Sequence, residues 1–564
     1  MRVEIDEYFP HETYREGQRE AIEKIVKYEG EGVVLEAPTG SGKSAIAYTA
    51  GKVIGSTYII TTTKVLQEQM KKYGVPVLKG KNNYVCAADG VKADVAKCSV
   101  GIISASDCEY YDECPYYVAR RVAMNSDVCC LNVAYAVVGR LEKRRFVVVD
   151  ECHRLDDICL NFVGMSIYEK GWGIRRKKDG ESVEEYVEYL DRELVPKVDR
   201  YIARKYAKLE REYNVIDARE VERMKRFLNR LMFLVDSVRM GYKWVYWTEG
   251  DRIKLSPIDV GWFVNSRILR LGEKVLAMSA TVCDVKVFAR ESGIKLDGRR
   301  VKFIRMPMRF PVENRRVYFI PCGKMGYESK GESVLFVGNM IEKILKKYSE
   351  YNAIVHCNSY EIAKMIYDVV DFGTRNVILQ SEGERDDAYR EFIEKGGVYL
   401  SVKMTEGIDL YEDRARINII AKVPFPYLKD ERIKVKSEVN KDWYMWKAVC
   451  DIVQACGRGV RSETDWCRNY ILDSDFAYLY FSCKKMFPDW FKKAIVWGKV
   501  KGNREVVFKE LMRKFNELCD EFGDTTYDEL AEYSGMNKRV VWYFIECLRE
   551  RGVVFVDGDK IIRV

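Results

Sequence analysis

The 564-residue sequence predicts an α/β fold with two parallel-sheet domains. Its length is too great for one hydrophobic core. Short apolar runs, typical of buried strands, alternate with amphipathic helical stretches in two long segments, of which the first is interrupted twice. The strand-like runs cover residues 32–36, 57–61, 146–150, 274–279, 353–356, 398–402 and 417–422. We therefore expect a first α/β domain over residues 1–285 and a second over residues 286–500.

Two insertions divide the predicted first domain. Residues 86–124 are rich in cysteine and tyrosine and show no clear periodicity. Residues 166–243 have the pattern of amphipathic helices, with charged faces opposite the apolar ones. The apolar positions that repeat at helix spacing are Val183, Val187, Leu190, Leu194, Val198, Val221, Met224, Leu228, Leu231 and Val235.

The C-terminal segment 505–564 predicts a separate winged helix. A helix–turn–helix pattern is followed by a hairpin pattern that runs to the C-terminus. The apolar face of its second helix comprises Val541, Phe544, Ile545 and Leu548. Lys538 and Arg539 begin that helix, where the DNA-reading residues of such a unit lie. Winged helices also dock proteins, so DNA contact and protein docking both remain open.

Composition excludes some classes of protein. No apolar run of about 18 residues is present, and the N-terminus lacks the layout of a secretory signal, so we expect a cytoplasmic protein. The 17 cysteines are scattered over a long chain, which favours a reduced compartment with some cysteines bound to metal. The net charge of +8 is compatible with a nucleic-acid partner.

The clearest local motif is a glycine-rich loop between a strand and a helix. It comprises Ala37, Pro38, Thr39, Gly40, Ser41, Gly42, Lys43 and Ser44. Glycines let backbone N–H groups curl around phosphates, and the helix N-terminus adds partial positive charge. Lys43 can then reach the β- and γ-phosphates, and the Ser44 hydroxyl can bind Mg²⁺. A glycine-rich turn without a ligand is the alternative, and the strand–loop–helix context favours a nucleotide.

Two adjacent carboxylates end the apolar strand predicted at 146–150. Buried carboxylates are costly unless a cation or a reaction uses them. We expect Asp150 to hold Mg²⁺ and Glu151 to orient and deprotonate the attacking water. A chance Asp-Glu pair at an exposed strand end is the alternative, and the upstream loop argues against it.

The ordered set of motifs resembles the superfamily 2 helicases, and within them the XPD/DinG branch. The matching runs are A-P-T-G-S-G-K-S at 37–44, T-T-T at 61–63 with Gln67 and Gln69, C-P-Y-Y at 114–117, D-E-C-H at 150–153, S-A-T at 279–281, F-P-V-E-N-R at 310–315, T-E-G-I-D at 405–409, K-V-P-F-P at 422–426 and Q-A-C-G-R-G-V-R at 454–461. The resemblance covers roughly residues 9–480, and its specificity lies in the order of the motifs. Cys152 departs from it, because the family commonly has alanine there.

The resemblance implies two RecA-like P-loop motor domains with an iron–sulfur insert and a helical arch-like insert. It also implies ATP hydrolysis in which Gln454, Arg458 and Arg461 act from the second domain. Two arginines three residues apart share a helix face, and guanidinium groups directed at the γ-phosphate stabilise transition-state charge. Surface arginines on a solvated helix are the alternative. Gln18 lies ahead of the glycine-rich loop, at a position where such helicases contact adenine. A plain surface glutamine is equally compatible with the sequence.

Four cysteines lie within the first insertion: Cys86, Cys98, Cys108 and Cys114. The insertion has too little apolar content to bury a core unaided, which favours a fold built on metal. Zinc sites usually contain a C-x2–4-C pair, which is absent from this segment. The resemblance implies a [4Fe–4S] cluster with four cysteine ligands. Zinc and buried, unliganded cysteines are the alternatives.

Threonines after strand ends suit sequence-independent phosphate contacts, so we expect Thr61, Thr63 and Thr405 to contact DNA. We expect an ATP-dependent helicase or translocase on single-stranded DNA, with fork or duplex DNA as a further partner and no membrane, acting as a monomer in repair or replication restart. The 5′→3′ polarity is implied by the resemblance. A translocase that displaces proteins without unwinding, and a winged-helix regulator with an ATPase switch, are the alternatives.

Overall fold

The computed structural model describes residues 2–62, 64–294, 298, 300–327, 329–383, 385–402, 412–498, 504–534, 541, 545, 548, 549 and 553–563. The chain forms two compact units. The first is Met1–Met308 with Pro426–Tyr444, and the second is Arg309–Phe425 with Met445–Val564. None of the helices in the described part of the chain has the length and apolar character needed to cross a membrane.

The secondary structure alternates between strands and helices along most of the chain. The strands are β1 (Gly32–Glu36), β2 (Thr57–Thr61), β3 (Val77–Leu78), β4 (Val128–Asn132), β5 (Arg144–Val149), β6 (Met165–Tyr168), β7 (Trp244–Glu249), β8 (Arg252–Pro257), β9 (Gly272–Ser279), β10 (Val301–Arg305), β11 (Val317–Gly323), β12 (Ala353–His356), β13 (Val377–Leu379), β14 (Val398–Ser401), β15 (Ile417–Ile420), β16 (Arg468–Asp473), β17 (Ile495–Trp497), β18 (Thr525–Thr526), β19 (Val554–Asp557) and β20 (Lys560–Arg563). The helices are α1 (Arg2–Tyr8), α2 (Gln18–Lys27), α3 (Lys43–Ile54), α4 (Lys64–Lys72), α5 (Lys97–Val100), α6 (Pro115–Asn125), α7 (Val133–Val138), α8 (Leu155–Val163), α9 (Glu169–Trp172), α10 (Val183–Glu193), α11 (Val195–Arg211), α12 (Val215–Arg239), α13 (Gly261–Arg267), α14 (Val285–Glu291), α15 (Lys330–Lys347), α16 (Tyr360–Val369), α17 (Arg385–Lys395), α18 (Glu431–Val439), α19 (Lys441–Cys456), α20 (Asp475–Ser482), α21 (Asp489–Ala494), α22 (Arg504–Phe522) and α23 (Tyr527–Ser534).

The first unit is built on a parallel sheet of seven strands in the order β10-β1-β9-β5-β2-β4-β3. All five residues of β1 are buried, as a central strand covered on both faces requires. The predicted end of the first domain at residue 285 is wrong. Gly32 on β1 pairs with Val301 on β10, so the sheet and its unit continue past that boundary.

The two insertions pack against each other within the first unit. Val95 and Val100 of the cysteine-rich insertion share an apolar cluster with Leu209, Ala218 and Val221 of the helical insertion. The helical insertion has three long helices, α10, α11 and α12, and an antiparallel sheet in the order β6-β8-β7 lies at its two ends in the sequence. The apolar repeat predicted from Val183 to Val198 therefore covers two helices, which are separated at Leu194.

The second unit has its own parallel sheet of seven strands, in the order β13-β14-β12-β15-β16-β11-β17. Residues 426–444, predicted to lie in the second domain, belong to the first unit. The two parallel sheets confirm the predicted α/β class. At the C-terminus, α22 and α23 pack with an antiparallel sheet in the order β18-β20-β19 around buried Val541, Ile545 and Leu548, as the winged-helix pattern requires.

Candidate nucleotide site

The glycine-rich loop connects β1 to α3 at the carboxyl edge of the first sheet. Gly40 and Gly42 have φ values of 81° and 78°, in the left-handed region that favours glycine. The Ala37 N–H donates to the Ser279 carbonyl at 2.8 Å, which fixes the start of the loop to β9. A Cβ atom on Gly42 would lie 2.2 Å from Nε2 of Gln18, so a side chain there would have to displace the Gln18 amide. The loop therefore curls at the N-terminus of α3, where backbone N–H groups can face an anion.

Lys43 and the two predicted carboxylates lie together at this edge. Lys43 Nζ is 3.9 Å from Oε1 of Glu151 and 3.4 Å from the Ala37 carbonyl. Burial, and then the neighbouring charge of Glu151, raise the pKa of Asp150 to about 7, while Lys43 lowers it. Oδ1 of Asp150 is buried and has no hydrogen-bond partner in the described part of the chain. A buried, unpartnered carboxylate oxygen beside phosphate-binding groups fits a Mg²⁺ ligand.

The Ser44 hydroxyl, the second predicted Mg²⁺ ligand, is at the first turn of α3 and donates to Oε1 of Gln69 on α4. Ser44 follows Lys43 directly in the sequence, so it lies beside Lys43 at the N-terminus of α3. Ser44 and Asp150 thus carry oxygen atoms at this edge of the kind that a hard cation binds.

A hydrogen-bonded chain links the D-E-C-H run to the S-A-T run. His153 Nδ1 lies 2.7 Å from Oγ of Ser279 and 3.4 Å from Oε2 of Glu151. Ser279 Oγ accepts from the Thr281 N–H at 3.0 Å. Glu151 adopts φ 48°, a left-handed conformation that turns the chain sharply after β5. Groups distant in sequence are therefore connected through one imidazole beside the carboxylate expected to act on water.

Sequence reasoning missed Glu36, the last residue of β1. It is buried, and its Oε1 accepts from the N–H groups of Val282 and Cys283 at 3.0 and 2.9 Å. Its other oxygen forms an ion pair with Arg305 on β10. This carboxylate holds the segment after the S-A-T run in place. The one sign of this role in the sequence is that a glutamate ends a strand whose other residues are apolar or glycine.

Gln18 is 1% exposed and contacts the glycine-rich loop directly. Its carbonyl accepts from the Arg15 N–H at 2.8 Å, and its amide donates to the Gly42 carbonyl at 3.1 Å. The plain surface interpretation is therefore wrong. The adenine contact stays a prediction.

The second unit carries Gln454, Arg458 and Arg461 near the end of α19. Gln454 is half-buried in the last turn of this helix, Arg458 is half-buried, and Arg461 is exposed. The prediction that the two arginines share a helix face is wrong, because α19 ends at Cys456. Gly457 and Gly459 flank Arg458 and favour an irregular backbone. A Cβ atom on Gly459 would lie 2.5 Å from the side chain of Cys467.

The four cysteines of the first insertion lie in one segment, and Cys86 and Cys108 are near Cys98. Cys86 and Cys114 are buried, and Cys98 and Cys108 are partly buried. Burial raises the pKa of Cys98, and the charges of Cys86 and Cys108 raise it further. Four thiols suit an iron–sulfur cluster, but no three His, Cys, Asp or Glu side chains among the described residues lie close enough together to hold one metal ion. The cluster therefore remains a proposal.

The tyrosines of this insertion form much of its small core. Tyr116 is 5% exposed, its ring contacts those of Tyr84 and Tyr117, and its hydroxyl lies 3.1 Å from that of Tyr135. Tyr110 is 43% exposed. Most of these rings are thus used in packing.

The predicted DNA contacts are only partly within the described residues. Thr61 is fully buried at the end of β2, where it pairs with Asn132, so a phosphate contact by its side chain is wrong. The sequence pattern could not separate this buried strand end from an exposed one. Thr63, Thr405, Lys538 and Arg539 lie outside the described residues.

Comparison with known proteins finds similarity to helicases. The model for DEAD/DEAH box helicases matches residues 15–163, and the model for a helicase C-terminal domain matches residues 341–494. A probable ATP-dependent helicase of Methanocaldococcus jannaschii is 21% identical over 91% of this chain and 98% of its own length. The ATP-dependent DNA helicase XPD of Sulfolobus acidocaldarius is 23% identical over 65% and 73%. The ATP-dependent DNA helicase YoaA of Escherichia coli is 23% identical over 82% and 91%.

The chain belongs to the XPD/DinG-like branch of the superfamily 2 helicases. A solved XPD helicase has the same fold, with a TM-score of 0.56 and 16% identity over 84% of this chain and 99% of its own. The two parallel-sheet units are RecA-like domains. As a member of this branch the protein is an ATP-dependent helicase enzyme, and ATP and Mg²⁺ are its substrate and cation.

Proposed function

We propose that this XPD/DinG-like protein uses ATP hydrolysis to move along single-stranded DNA and to unwind duplex DNA ahead of it, in repair or replication restart. The single observation that carries this proposal is the meeting of Lys43, Asp150 and Glu151 at the carboxyl edge of the first sheet. DNA as the substrate is supported by two relatives whose names describe DNA helicases. The 5′→3′ polarity rests on the family resemblance.

Each residue of the site has a proposed role in hydrolysis. Asp150 and Ser44 would hold Mg²⁺, which neutralises phosphate charge when bound. Lys43 binds the β- and γ-phosphates, and Glu151 orients the attacking water and accepts its proton. Arg458 and Arg461 are proposed to stabilise the charge that develops on the γ-phosphate, with Gln454 beside them. Gln18 is proposed to contact adenine.

DNA is proposed to contact both units and the C-terminal winged helix. Thr63 and Thr405 are proposed phosphate contacts, which would position the strand without reading its sequence. Lys538 and Arg539 are proposed to bind duplex phosphates. Loss of both side chains would then reduce the slope of the logarithm of the duplex binding constant against the logarithm of salt concentration by about 2.

The four cysteines Cys86, Cys98, Cys108 and Cys114 are proposed to ligate a [4Fe–4S] cluster. The number of thiols and their location in one insertion support this proposal. No step of ATP hydrolysis is assigned to the cluster. Its role is structural, because the insertion packs against the helical insertion through a shared apolar cluster.

A strand-displacement assay tests the function. Two duplexes, one with a single-stranded 5′ tail and one with a single-stranded 3′ tail, are each incubated with ATP, and the released strand is measured. We expect release from the 5′-tailed substrate, none from the 3′-tailed one, and none with Glu151→Gln on either. ATP hydrolysis stimulated by single strands, with removal of a bound protein but no strand release, would instead establish a translocase that does not unwind.

A further inference from the structure

The long helix α12 of the helical insertion carries a straight row of arginines on its outer face. The arginine row comprises Arg219, Arg223, Arg226 and Arg230, all of them exposed. At 3.6 residues per turn and a rise of 1.5 Å per residue, these positions fall within about 60° of the helix circumference and span about 17 Å. Val221 and Val235 are fully buried on the opposite side of the helix. The row therefore faces away from the core of the insertion.

Most of the positive charge of the arginine row is not neutralised by the protein. Arg223 forms an ion pair with Glu220 at 2.6 Å. Arg219, Arg226 and Arg230 have no carboxylate partner anywhere in the part of the chain that the structure describes. Nε of Arg226 donates to the backbone carbonyl of Glu222 at 3.2 Å, a bond within the helix that leaves its charge in place.

The other two cations of α12 are paired, so the unpaired charge is confined to the row. Lys225 lies 3.6 Å from Oε1 of Glu222, and Arg239 lies 2.9 Å from Oε2 of Glu188 and 2.7 Å from Oδ2 of Asp191. Like charges three or four residues apart on a helix repel each other and destabilise the helix. The arginine row thus weakens α12, and an anionic partner would offset this repulsion.

The chemistry of the row fits a series of phosphates. The guanidinium group of arginine is a planar fork that binds phosphate through two parallel hydrogen bonds, which a lysine ammonium cannot do. The phosphates of one DNA strand in a duplex follow each other at about 3.4 Å along the axis, so a row about 17 Å long spans about five of them. Phosphate contacts of this kind do not depend on the base sequence.

A duplex fits the row better than a single strand does. Surfaces that bind single strands combine positive charge with aromatic rings on which the bases stack. The two phenylalanines of α12 already pack within the first unit: Phe227 stacks on Trp172, with ring centroids 6.0 Å apart, and Phe233 stacks on Trp262 at 5.1 Å. A duplex needs no stacking surface, and it has twice the charge per unit length of one strand.

We propose that the arginine row of α12 binds the phosphate backbone of duplex DNA. This inference rests on the proposed function in taking DNA as the partner. None of the four arginines is part of the nucleotide site. Loss of the row therefore weakens duplex binding and leaves ATP hydrolysis on single strands unchanged.

The salt dependence of duplex binding tests the proposal. The triple variant Arg219→Gln/Arg226→Gln/Arg230→Gln removes the three unpaired charges and keeps good helix formers at exposed positions. Affinity for a blunt duplex of about two helical turns is measured at several salt concentrations. We expect the slope of the logarithm of the binding constant against the logarithm of salt concentration to fall by about 2.7, because each lost phosphate contact contributes about 0.9. An unchanged slope would overturn the proposal.

A matched control separates the arginine row from a general loss of positive charge. Lys24, Lys27 and Lys71 are already paired with Glu20, Glu23 and Glu68. Replacement of all three lysines by Gln causes the same change in net charge and should alter the slope by less than about 1. If this control lowered the slope as much as the triple arginine variant, binding would depend on net charge alone and the proposal would fail.

Two further measurements distinguish the partner and exclude a folding defect. The variant Arg219→Lys/Arg226→Lys/Arg230→Lys keeps the charges, so its slope should equal that of the parent. Urea midpoints of all variants should match the parent or exceed it, since repulsion within the helix is reduced or unchanged. If the glutamine variant lost affinity only for a single strand of equal length, the row would bind single strands and the proposal would be wrong.

Failure of this inference can be told apart from failure of the proposed function. ATP hydrolysis stimulated by single strands should stay within about twofold of the parent rate in the glutamine variant, because the row contacts only the duplex. If that activity persists and duplex binding keeps its slope, only the inference fails. If the parent binds neither single strands nor duplexes, the proposed function fails, and the inference with it.

Discussion

Asp150 and Glu151 are adjacent in sequence but lie in different surroundings. Asp150 is buried, and burial raises its pKa to about 7. Glu151 adopts a left-handed backbone conformation, which places its side chain near Lys43 and His153. Asp150 is thus suited to bind a cation, and Glu151 is suited to act on a water molecule between these groups.

Two substitutions should separate phosphate binding from water activation. Lys43→Ala should abolish ATP hydrolysis, because phosphate charge is no longer neutralised. Glu151→Gln should bind ATP but lose turnover by at least about two decades. Nucleotide binding and phosphate release measure the two effects. Glu142→Gln, an exposed carboxylate ahead of β5, is the control and should behave like the parent. Normal hydrolysis by Glu151→Gln would remove the assignment.

His356 ends β12, where its Nε2 lies 2.7 Å from Oδ1 of Asn418, and it should make folding stability depend on pH. An unfolded histidine has a pKa of about 6.5, whereas burial lowers the pKa of folded His356 to about 4. Between these values the unfolded chain takes up a proton that the folded chain does not. Stability from this residue is therefore complete above pH 6.5 and is lost as the pH falls toward 4.

The size of this effect can be measured by urea unfolding at two pH values. From pH 6.5 to pH 5 the parent should lose about 1.6 kcal/mol more than His356→Phe, which has no titrating group. The substitution also removes the bond to Asn418, but that loss is the same at both pH values. Equal losses in the two proteins would show that folded His356 titrates normally.

At the scale of single elements, α18 shows how buried charge fixes a helix. Lys436 is 1% exposed, and its Nζ lies 2.5 Å from Oε2 of Glu291 and 2.9 Å from Oδ1 of Asp259. It also lies 4.5 Å from the ring centroid of Trp443. Arg432 on the same helix donates to the carbonyl groups of Pro257 and Ile258. These contacts explain why residues 426–444 fold with the first unit.

Removing Lys436 should therefore destabilise the protein. Lys436→Met leaves Oε2 of Glu291 buried without its lysine, although Arg290 still pairs with Oε1. Breaking a buried pair in this way costs about 3–5 kcal/mol. Lys434→Met makes the same change at an exposed position of the same helix and should alter stability by less than about 0.5 kcal/mol. Urea midpoints compare the two variants. A similar midpoint for both would mean that the pair contributes nothing.

At the scale of the whole molecule, two insertions from distant parts of the first unit support each other. Tyr213 donates to the Val95 carbonyl at 2.7 Å, and Lys225 donates to the Val100 carbonyl at 2.9 Å. These bonds surround the apolar cluster that the insertions share. A change in the cysteine-rich insertion is therefore expected to affect the helical insertion as well.

The iron–sulfur proposal predicts a brown protein with about four irons per chain. Cys86→Ser or Cys114→Ser should remove the colour and abolish unwinding, while ATP hydrolysis without DNA largely survives. Cys129→Ser is the control, because Cys129 is buried on β4 outside the insertion and burial raises its pKa to about 11. An iron assay and a visible spectrum on anaerobically purified protein give the answer. A colourless protein with stoichiometric zinc would decide for the alternative metal.

Much of the first sheet and its nucleotide loop could be predicted, because each strand and the loop are formed by residues that are consecutive in the sequence. The predicted runs 32–36 and 57–61 coincide with β1 and β2. A phosphate loop needs its glycines, lysine and serine in one continuous stretch, so its chemistry can be read locally. The prediction for Thr61 failed for a related reason, since a strand pattern does not show what covers the strand end.

The sequence by itself determined the α/β class, the identity of the motifs and the residues proposed to bind phosphate and cation. Only the tertiary structure decided that β10 pairs with β1, that residues 426–444 join the first unit, and that α19 stops before Arg458. It alone brought His356 to Asn418, from strands separated by more than 60 residues. Such contacts depend on which buried groups find complementary partners across the fold, and no local pattern contains that information.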